Sequence, residues 1–224
     1  MSMKKYNKDD FKSNKINSWS VFKIMEEFVN GYEKLSSIGP CVSVFGSSRI
    51  DNDNENYKLG VSIAQGLAEK GFGIITGGGP GVMEAGNKGA QLANGKSVGL
   101  NIDLPFEQFA NPYIDDDYNL DFEYFFVRKV MFVKFAVAFV VLPGGVGTLD
   151  ELFEAITLVQ TNKIDKIPII LVNTSFWGGL IEWLKEQLLA QGMIDDDNLN
   201  LIQLVNTKEE VFTLIDDFYT KSNS

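Results

Sequence analysis

Short, nearly uninterrupted apolar runs alternate along this chain with longer stretches whose apolar positions recur every three or four residues. Strands buried on both faces produce the first pattern, and amphipathic helices the second. Residues 1–16 fit neither, being polar and rich in Lys and Asn, and are expected to form a flexible tail. From Trp19 to Leu35, apolar Val21, Phe22, Met25, Phe28, Val29 and Tyr32 keep helical spacing, with Asn17 or Ser18 available as cap. The strand-like runs are Cys41 to Phe45, Phe72 to Ile75, Ser97 to Ile102, Val137 to Leu142, Ile167 to Val172 and a short one near Leu201 to Val205. Helical patterns lie between them: around Val61 to Ala68, Val82 to Asn94, from about Val127, Leu149 to Val159, Phe176 to Leu189, and from Glu209 onward. The stretch Asp103 to Asp121, with two prolines and an acidic run, reads as a long loop beside the site.

Alternating strands and helices of this kind predict an α/β fold: a doubly wound, Rossmann-like parallel sheet covered on both faces. The chain divides into a tail over 1–16, an N-terminal helix over 17–38 and a nucleotide-binding domain over 39–222. Open parallel sheets bind ligands beyond the carboxyl ends of their strands. Three turns fall there, at Gly46-Ser47-Ser48, at Thr76 to Gly81 (TGGGPG) and at Pro143 to Thr148 (PGGVGT). Glycine lets a backbone approach a ligand closely, and the helix that follows aims unpaired N–H groups at it. The turns are therefore expected to share one rim and cradle a phosphorylated small molecule.

Composition narrows the ligand. A formal net charge of −10 and a pI near 4.6 oppose nucleic acid or an anionic membrane as partner, so a small anion must be drawn by local dipoles. The longest apolar stretch, Phe135 to Leu142, is too short to span a bilayer, and a single cysteine, Cys41, fits a reducing, cytoplasmic setting. Histidine is absent altogether, which removes Ser-His and Cys-His catalysis and imidazole metal sites. No metal or cofactor is expected, and catalysis falls to carboxylates, Lys, Arg, Tyr and backbone amides. Among 20 basic residues only Arg49 and Arg128 are arginines, each a candidate for a position that needs a planar fork.

Neither glycine turn is a dinucleotide fingerprint, because Val82 and Asp150 stand where the third glycine would be, and neither ends in the Gly-Lys-Ser/Thr of a P-loop. A mononucleotide or sugar phosphate is favoured. The string Pro143-Gly144-Gly145-Val146-Gly147-Thr148-Leu149-Asp150-Glu151, preceded by Arg128-Lys129 and by Gly78-Gly79-Pro80-Gly81-Val82-Met83-Glu84-Ala85, resembles the Lonely Guy family, in the long bacterial form. Members are cytokinin riboside 5′-monophosphate phosphoribohydrolases, often mislabelled as lysine decarboxylases. The mislabel finds no support here, since a pyridoxal-phosphate decarboxylase of that type would use a histidine beside its lysine.

The resemblance implies cleavage of the N-glycosidic bond of a purine or cytokinin nucleoside 5′-monophosphate, giving free base and ribose 5-phosphate. It places catalytic roles at Arg128 and Glu151. Substrate contacts fall at Lys129, at Glu107, along Gly144, Gly145, Val146, Gly147, Thr148, Leu149 and Asp150, and at Thr157. The TGGGPG turn adds Gly78, Gly79 and Gly81. Glu84 is either a ligand contact or an acid favoured by the helix dipole, and Ser47 either donates to the ligand or closes its turn. Met83 and Phe45 read as core. Independently of the family, a carboxylate one turn past the PGGVGT amides suits N-glycoside cleavage, which develops positive charge on the ribose. A second reading is a non-catalytic carrier of a phosphorylated ligand such as molybdenum cofactor, because such carriers are similar in their glycine turns. A homodimer or larger homo-oligomer is expected, with the N-terminal helix or the helix near Val130 to Phe135 buried between subunits.

Overall fold

The structure, a computed structural model, describes residues 18–104 and 109–222. Helix α1 (Ser20–Leu35) leads into β1 (Cys41–Phe45), α2 (Glu55–Glu69), β2 (Gly73–Thr76), α3 (Val82–Leu92) and β3 (Ser97–Ile102). After a 3₁₀ turn come β4 (Asn119–Phe122), α4 (Phe125–Lys134), β5 (Ala136–Val141), α5 (Val146–Gln160), β6 (Ile169–Val172) and α6 (Thr174–Trp183). The short α7 (Asp196–Leu199), β7 (Ile202–Val205) and α8 (Lys208–Ser222) complete the order.

All seven strands pair in parallel, in the order β4-β3-β2-β1-β5-β6-β7. This is the doubly wound Rossmann-like α/β fold that the pattern predicts. Strand order reverses between β1 and β5, so a crevice opens at their carboxyl ends. Every residue of β1 is buried: Cys41 and Phe45 enter the core on the face covered by α1, α4 and α5, while Val42 and Val44 enter the core beneath α2, α3 and α8. Burial pushes the Cys41 thiol pKa up to about 11, consistent with a packed and unreactive side chain.

Four sequence expectations change. Asn119–Phe122 is an edge strand rather than the end of a loop, with Leu120 and Phe122 inward and Asn119 and Asp121 exposed. That period-two signal spans only four residues and is masked by the acidic run before it. Helix α4 starts at Phe125, ahead of Val127, and α1 begins after Trp19 without a side-chain cap, so Ser18 does not perform that role. The helical pattern to Leu189 continues past α6 as a π-helical segment over Leu184–Leu189. The proposed tail and Glu107 lie outside the described residues.

Helix α1 rides on α4. Glu27 accepts from the backbone N–H groups of Glu123 and Tyr124 at 2.9 and 3.3 Å, and so caps α4, while Lys23 pairs with Glu123. The opposite face of α1 leaves Val21, Phe22, Met25 and Val29 exposed.

Candidate active site

The three strand-end turns are laced together by backbone. Ser47 N–H donates to Pro143 O at 3.0 Å, and Val82 N–H donates to Ser47 O at 2.9 Å. The turn after β1 thus bridges the glycine turns after β2 and β5, and all three meet on one rim. Gly81 takes φ +68°, and a Cβ there would stand 2.3 Å from Ser47 O, so this close approach requires glycine.

A cavity of about 570 Å³ opens at this rim. One wall comes from Gly46, Ser47, Ser48 and Arg49, another from Gly145, Val146, Gly147, Thr148, Asp150 and Glu151. Gly77, Met83 and Arg128 close a third side, and the apolar remainder is Phe45, Ile102, Leu104, Phe125 and Phe132. Gly145 caps α5 with no side-chain acceptor, and a Cβ at Gly145 or Gly147 would meet nothing within 4 Å. The first amides of a fifteen-residue helix therefore border open space, the arrangement that receives an anion. Thr148 turns its hydroxyl inward against Gly144, and Val146 is 83% exposed at the lip.

Glu151 follows one turn into α5, its side chain only 11% exposed. Burial raises its pKa to about 7; the nearby charges of Lys129 and Arg128 pull it down, and Glu154 and Asp150 push it further up. Arg128 faces it from α4. Its Nη1 donates to Leu100 O at a long 3.4 Å, and its Nε is buried with no hydrogen-bond partner among the described residues. Burial lowers the Arg128 pKa against the opposing pull of Glu151 and Asp150. The Phe125 and Phe132 rings lie 5.2 and 5.5 Å from its guanidinium carbon. A partly buried cation with an unused donor, a carboxylate poised near neutrality and a helix N-terminus share one cavity.

Other predicted residues stand elsewhere. Lys129 turns to the outer side of α5, 2.8 Å from Asp150 and 2.7 Å from Glu154. Burial opposes its charge, but those two bonds and the charges of Glu151 and Glu154 raise its pKa overall. With Leu149, Phe153 and Thr157 it lines a shallower neighbouring groove that joins the cavity at Val146 and Asp150. Thr157 donates to Phe153 O within its helix. Glu84 accepts from Tyr57 O–H at 2.7 Å, pinning α2 to α3, and is not on the cavity wall; burial and that bond raise the Tyr57 pKa.

Gly78, Gly79 and Gly81 are buried outside the cavity lining. There Asn111, 7% exposed, donates from its amide to Gly78 O, Gly79 O and Asn87 Oδ1 at 3.0, 3.1 and 2.9 Å. Thr76 O–H also donates to Asn87 Oδ1, and Asn87 donates onward to Ser97 Oγ and Val98 O. This network fixes the TGGGPG turn from behind, so only Gly77 faces the cavity.

Sequence reasoning missed Ile102, Leu104, Phe125 and Phe132 as wall residues, and placed Met83 and Phe45 only in the core. Helix spacing carried a signal for two of them. Phe125 and Phe132 are three residues before and four after Arg128, on the same face of α4.

Comparison with known proteins places the chain in a family and a fold. A family model described as "Possible lysine decarboxylase" matches residues 83–215. The cytokinin riboside 5′-monophosphate phosphoribohydrolase of Mycobacterium tuberculosis is 32% identical over 161 residues, 70% of this chain and 83% of that protein. The protein of the same name from Mycobacterium marinum is 31% identical over 135 residues, 59% of this chain and 71% of its own. Among solved structures, the molybdenum cofactor binding protein of Rippkaea orientalis superposes with a TM-score of 0.58 at 23% identity, covering 81% of this chain and 98% of that one, a likeness of fold. On the family model and the mycobacterial relatives, the chain belongs to the Lonely Guy family.

Proposed function

We propose that this chain hydrolyses the N-glycosidic bond of a purine or cytokinin nucleoside 5′-monophosphate, releasing free base and ribose 5-phosphate. One observation carries the reading: Glu151, with a pKa near 7, shares a cavity with the uncapped amides of α5 and the unsatisfied Arg128 guanidinium. The names of the mycobacterial relatives support nucleotide hydrolysis.

In this mechanism the 5′-phosphate binds at the amides of Val146 to Thr148, where the helix dipole and N–H groups favour negative charge. Arg128 donates to phosphate or ribose oxygens through its free edge. Glu151 takes a proton from water as that water attacks C1′. Its carboxylate faces the positive charge that develops on the ribose as the C1′–N bond breaks, and the proton passes to the departing base nitrogen. A group with a pKa near 7 suits both halves of this exchange, since it accepts and returns a proton at neutral pH. The apolar wall of Phe45, Met83, Ile102 and Leu104 receives the base. A substrate contact at Glu107 belongs to the same proposal, whereas Lys129 and Thr157 face the neighbouring groove and act on the cavity at most through charge.

Incubation with AMP and other nucleoside monophosphates, followed by chromatography of free base and ribose 5-phosphate, tests the reading. Tight AMP binding with no base released, together with a pterin recovered from the purified protein, would replace it with the carrier of a phosphorylated ligand. We further propose a cytoplasmic homo-oligomer that buries the exposed apolar face of α1, because Val21, Phe22, Met25 and Val29 form a stripe that α4 does not cover. Light scattering that shows only monomer at micromolar concentration contradicts the assembly.

A further inference from the structure

The cavity contains an arrangement that the reaction scheme does not require. Arg128 lies between two phenylalanines of its own helix, Phe125 one turn before it and Phe132 one turn after, with ring centroids 5.2 and 5.5 Å from its guanidinium carbon. Phe132 is buried in the core. Phe125 is not: it is 49% exposed, lies on the cavity wall and occupies the first position of α4. A large aromatic half in solvent is costly to hydration, and leucine or lysine would serve the helix start as well.

We propose that Phe125 is a positioning residue for Arg128. Its ring shields the guanidinium from water and attracts it through the negative ring face, which holds the fork against the cavity wall before any ligand arrives. Three observations converge on this assignment. Nη1 has only the long 3.4 Å bond to Leu100 O to hold it, Nε has no hydrogen-bond partner among the described residues, and no carboxylate pairs with Arg128 within 4.0 Å among them. Hydrogen bonds therefore leave this side chain weakly fixed, and the rings supply the missing restraint. The inference rests on the reading that Arg128 receives a phosphorylated ligand, but its consequence for Arg128 itself does not depend on any ligand.

The chain's two arginines make the test clean, because Arg49 is an internal reference for Arg128. Labelling with phenylglyoxal, read peptide by peptide by mass spectrometry, should modify exposed Arg49 quickly and Arg128 slowly. Phe125→Leu keeps an apolar side chain and removes the ring. It should speed labelling of Arg128 by about three- to tenfold, within the range of a single cation–π contact, with Arg49 unchanged. Phe125→Tyr should restore the slow rate. Calorimetry with ribose 5-phosphate should show the same order: weaker binding in Phe125→Leu by about three- to tenfold and recovery in Phe125→Tyr.

Equal Arg128 labelling in parent and Phe125→Leu would overturn the proposal, as would a Phe125→Tyr variant that behaves like Leu. If instead Arg128 labelling responds as expected while neither AMP nor ribose 5-phosphate binds the parent, the positioning role stands and the ligand reading fails. Urea midpoints of the variants are measured alongside, and a Phe125→Leu protein that labels both arginines faster has loosened globally, which also counts against a specific role.

Discussion

Lys129 Nζ stands 3.7 Å from Glu151 Oε1, close enough for its charge to act on the carboxylate and too far to bond it. Its hydrogen bonds go instead to Asp150 and Glu154, at 2.8 and 2.7 Å. Lys129 is thus an electrostatic neighbour of the cavity whose side chain is held outside. Burial sets the Glu151 pKa high, and the positive charges of Lys129 and Arg128 bring it back to about 7.

A pH dependence follows with a definite sign. The mechanism needs the ionised carboxylate, so base release from a nucleoside monophosphate should rise with pH along a limb centred near 7 and level off above it. Lys129→Met removes a charge that favours ionisation and leaves Asp150 and Glu154 unneutralised, which moves the limb to higher pH. A profile of kcat/KM between pH 5 and 9 for both proteins checks this, and a limb that moves to lower pH contradicts it.

Glu151→Gln keeps the shape of the side chain and removes its charge. AMP binding should stay within a few fold of the parent while base release falls by roughly 10² or more, the scale of a lost positioned acid–base group. Product chromatography beside calorimetry separates the two effects.

The same substitution should stabilise the fold at alkaline pH. The folded-state pKa of Glu151, about 7, exceeds its ordinary value of 4.5. Below pH 4.5 both folded and unfolded states hold the proton. Between 4.5 and 7 the unfolded chain releases it and the folded protein retains it, so stability falls, by roughly 3 kcal/mol in total at pH 8. Glu151→Gln escapes that loss: its Tm should exceed the parent's at pH 8 and match it near pH 4, as thermal unfolding at the two pH values would show.

Two glycines of the rim should respond oppositely to alanine. At Gly81 the positive φ and the 2.3 Å approach to Ser47 O leave no room, and Gly81→Ala should lower stability by about 2–3 kcal/mol in urea unfolding. Gly145 has φ −95° and open space where a Cβ would go. Gly145→Ala should keep the parent urea midpoint yet weaken binding of ribose 5-phosphate at least tenfold, because the methyl enters the space beside the helix amides.

Asn111→Ala should cost about 2–3 kcal/mol, since it strips hydrogen bonds from Gly78 O and Gly79 O in a buried site. Hydrogen exchange should quicken at residues 76–82 before the rest of the sheet. Uniform exchange across the protein would argue against a local clasp.

Period and turn chemistry in the sequence were sufficient for the parallel sheet, the three strand-end turns and the place of Glu151 one turn into α5, because each is set by neighbours within a few residues. The absence of histidine and the rarity of arginine marked Arg49 and Arg128 as candidates by composition, and only the family resemblance chose Arg128 between them. Tertiary packing decided the rest. Lys129 adjoins Arg128 in sequence, yet successive residues on a helix diverge by about 100°, so one faces the cavity and the other the acidic flank of α5. Gly78 and Gly79 belong to a ligand-type motif, but Asn111, more than 30 residues away, reaches their carbonyls first. Asn119–Phe122 becomes a strand only because β3 offers it an edge. The Glu151 pKa likewise follows from burial among residues brought together by α4, α5 and the strand-end turns, a field that no local stretch of sequence contains.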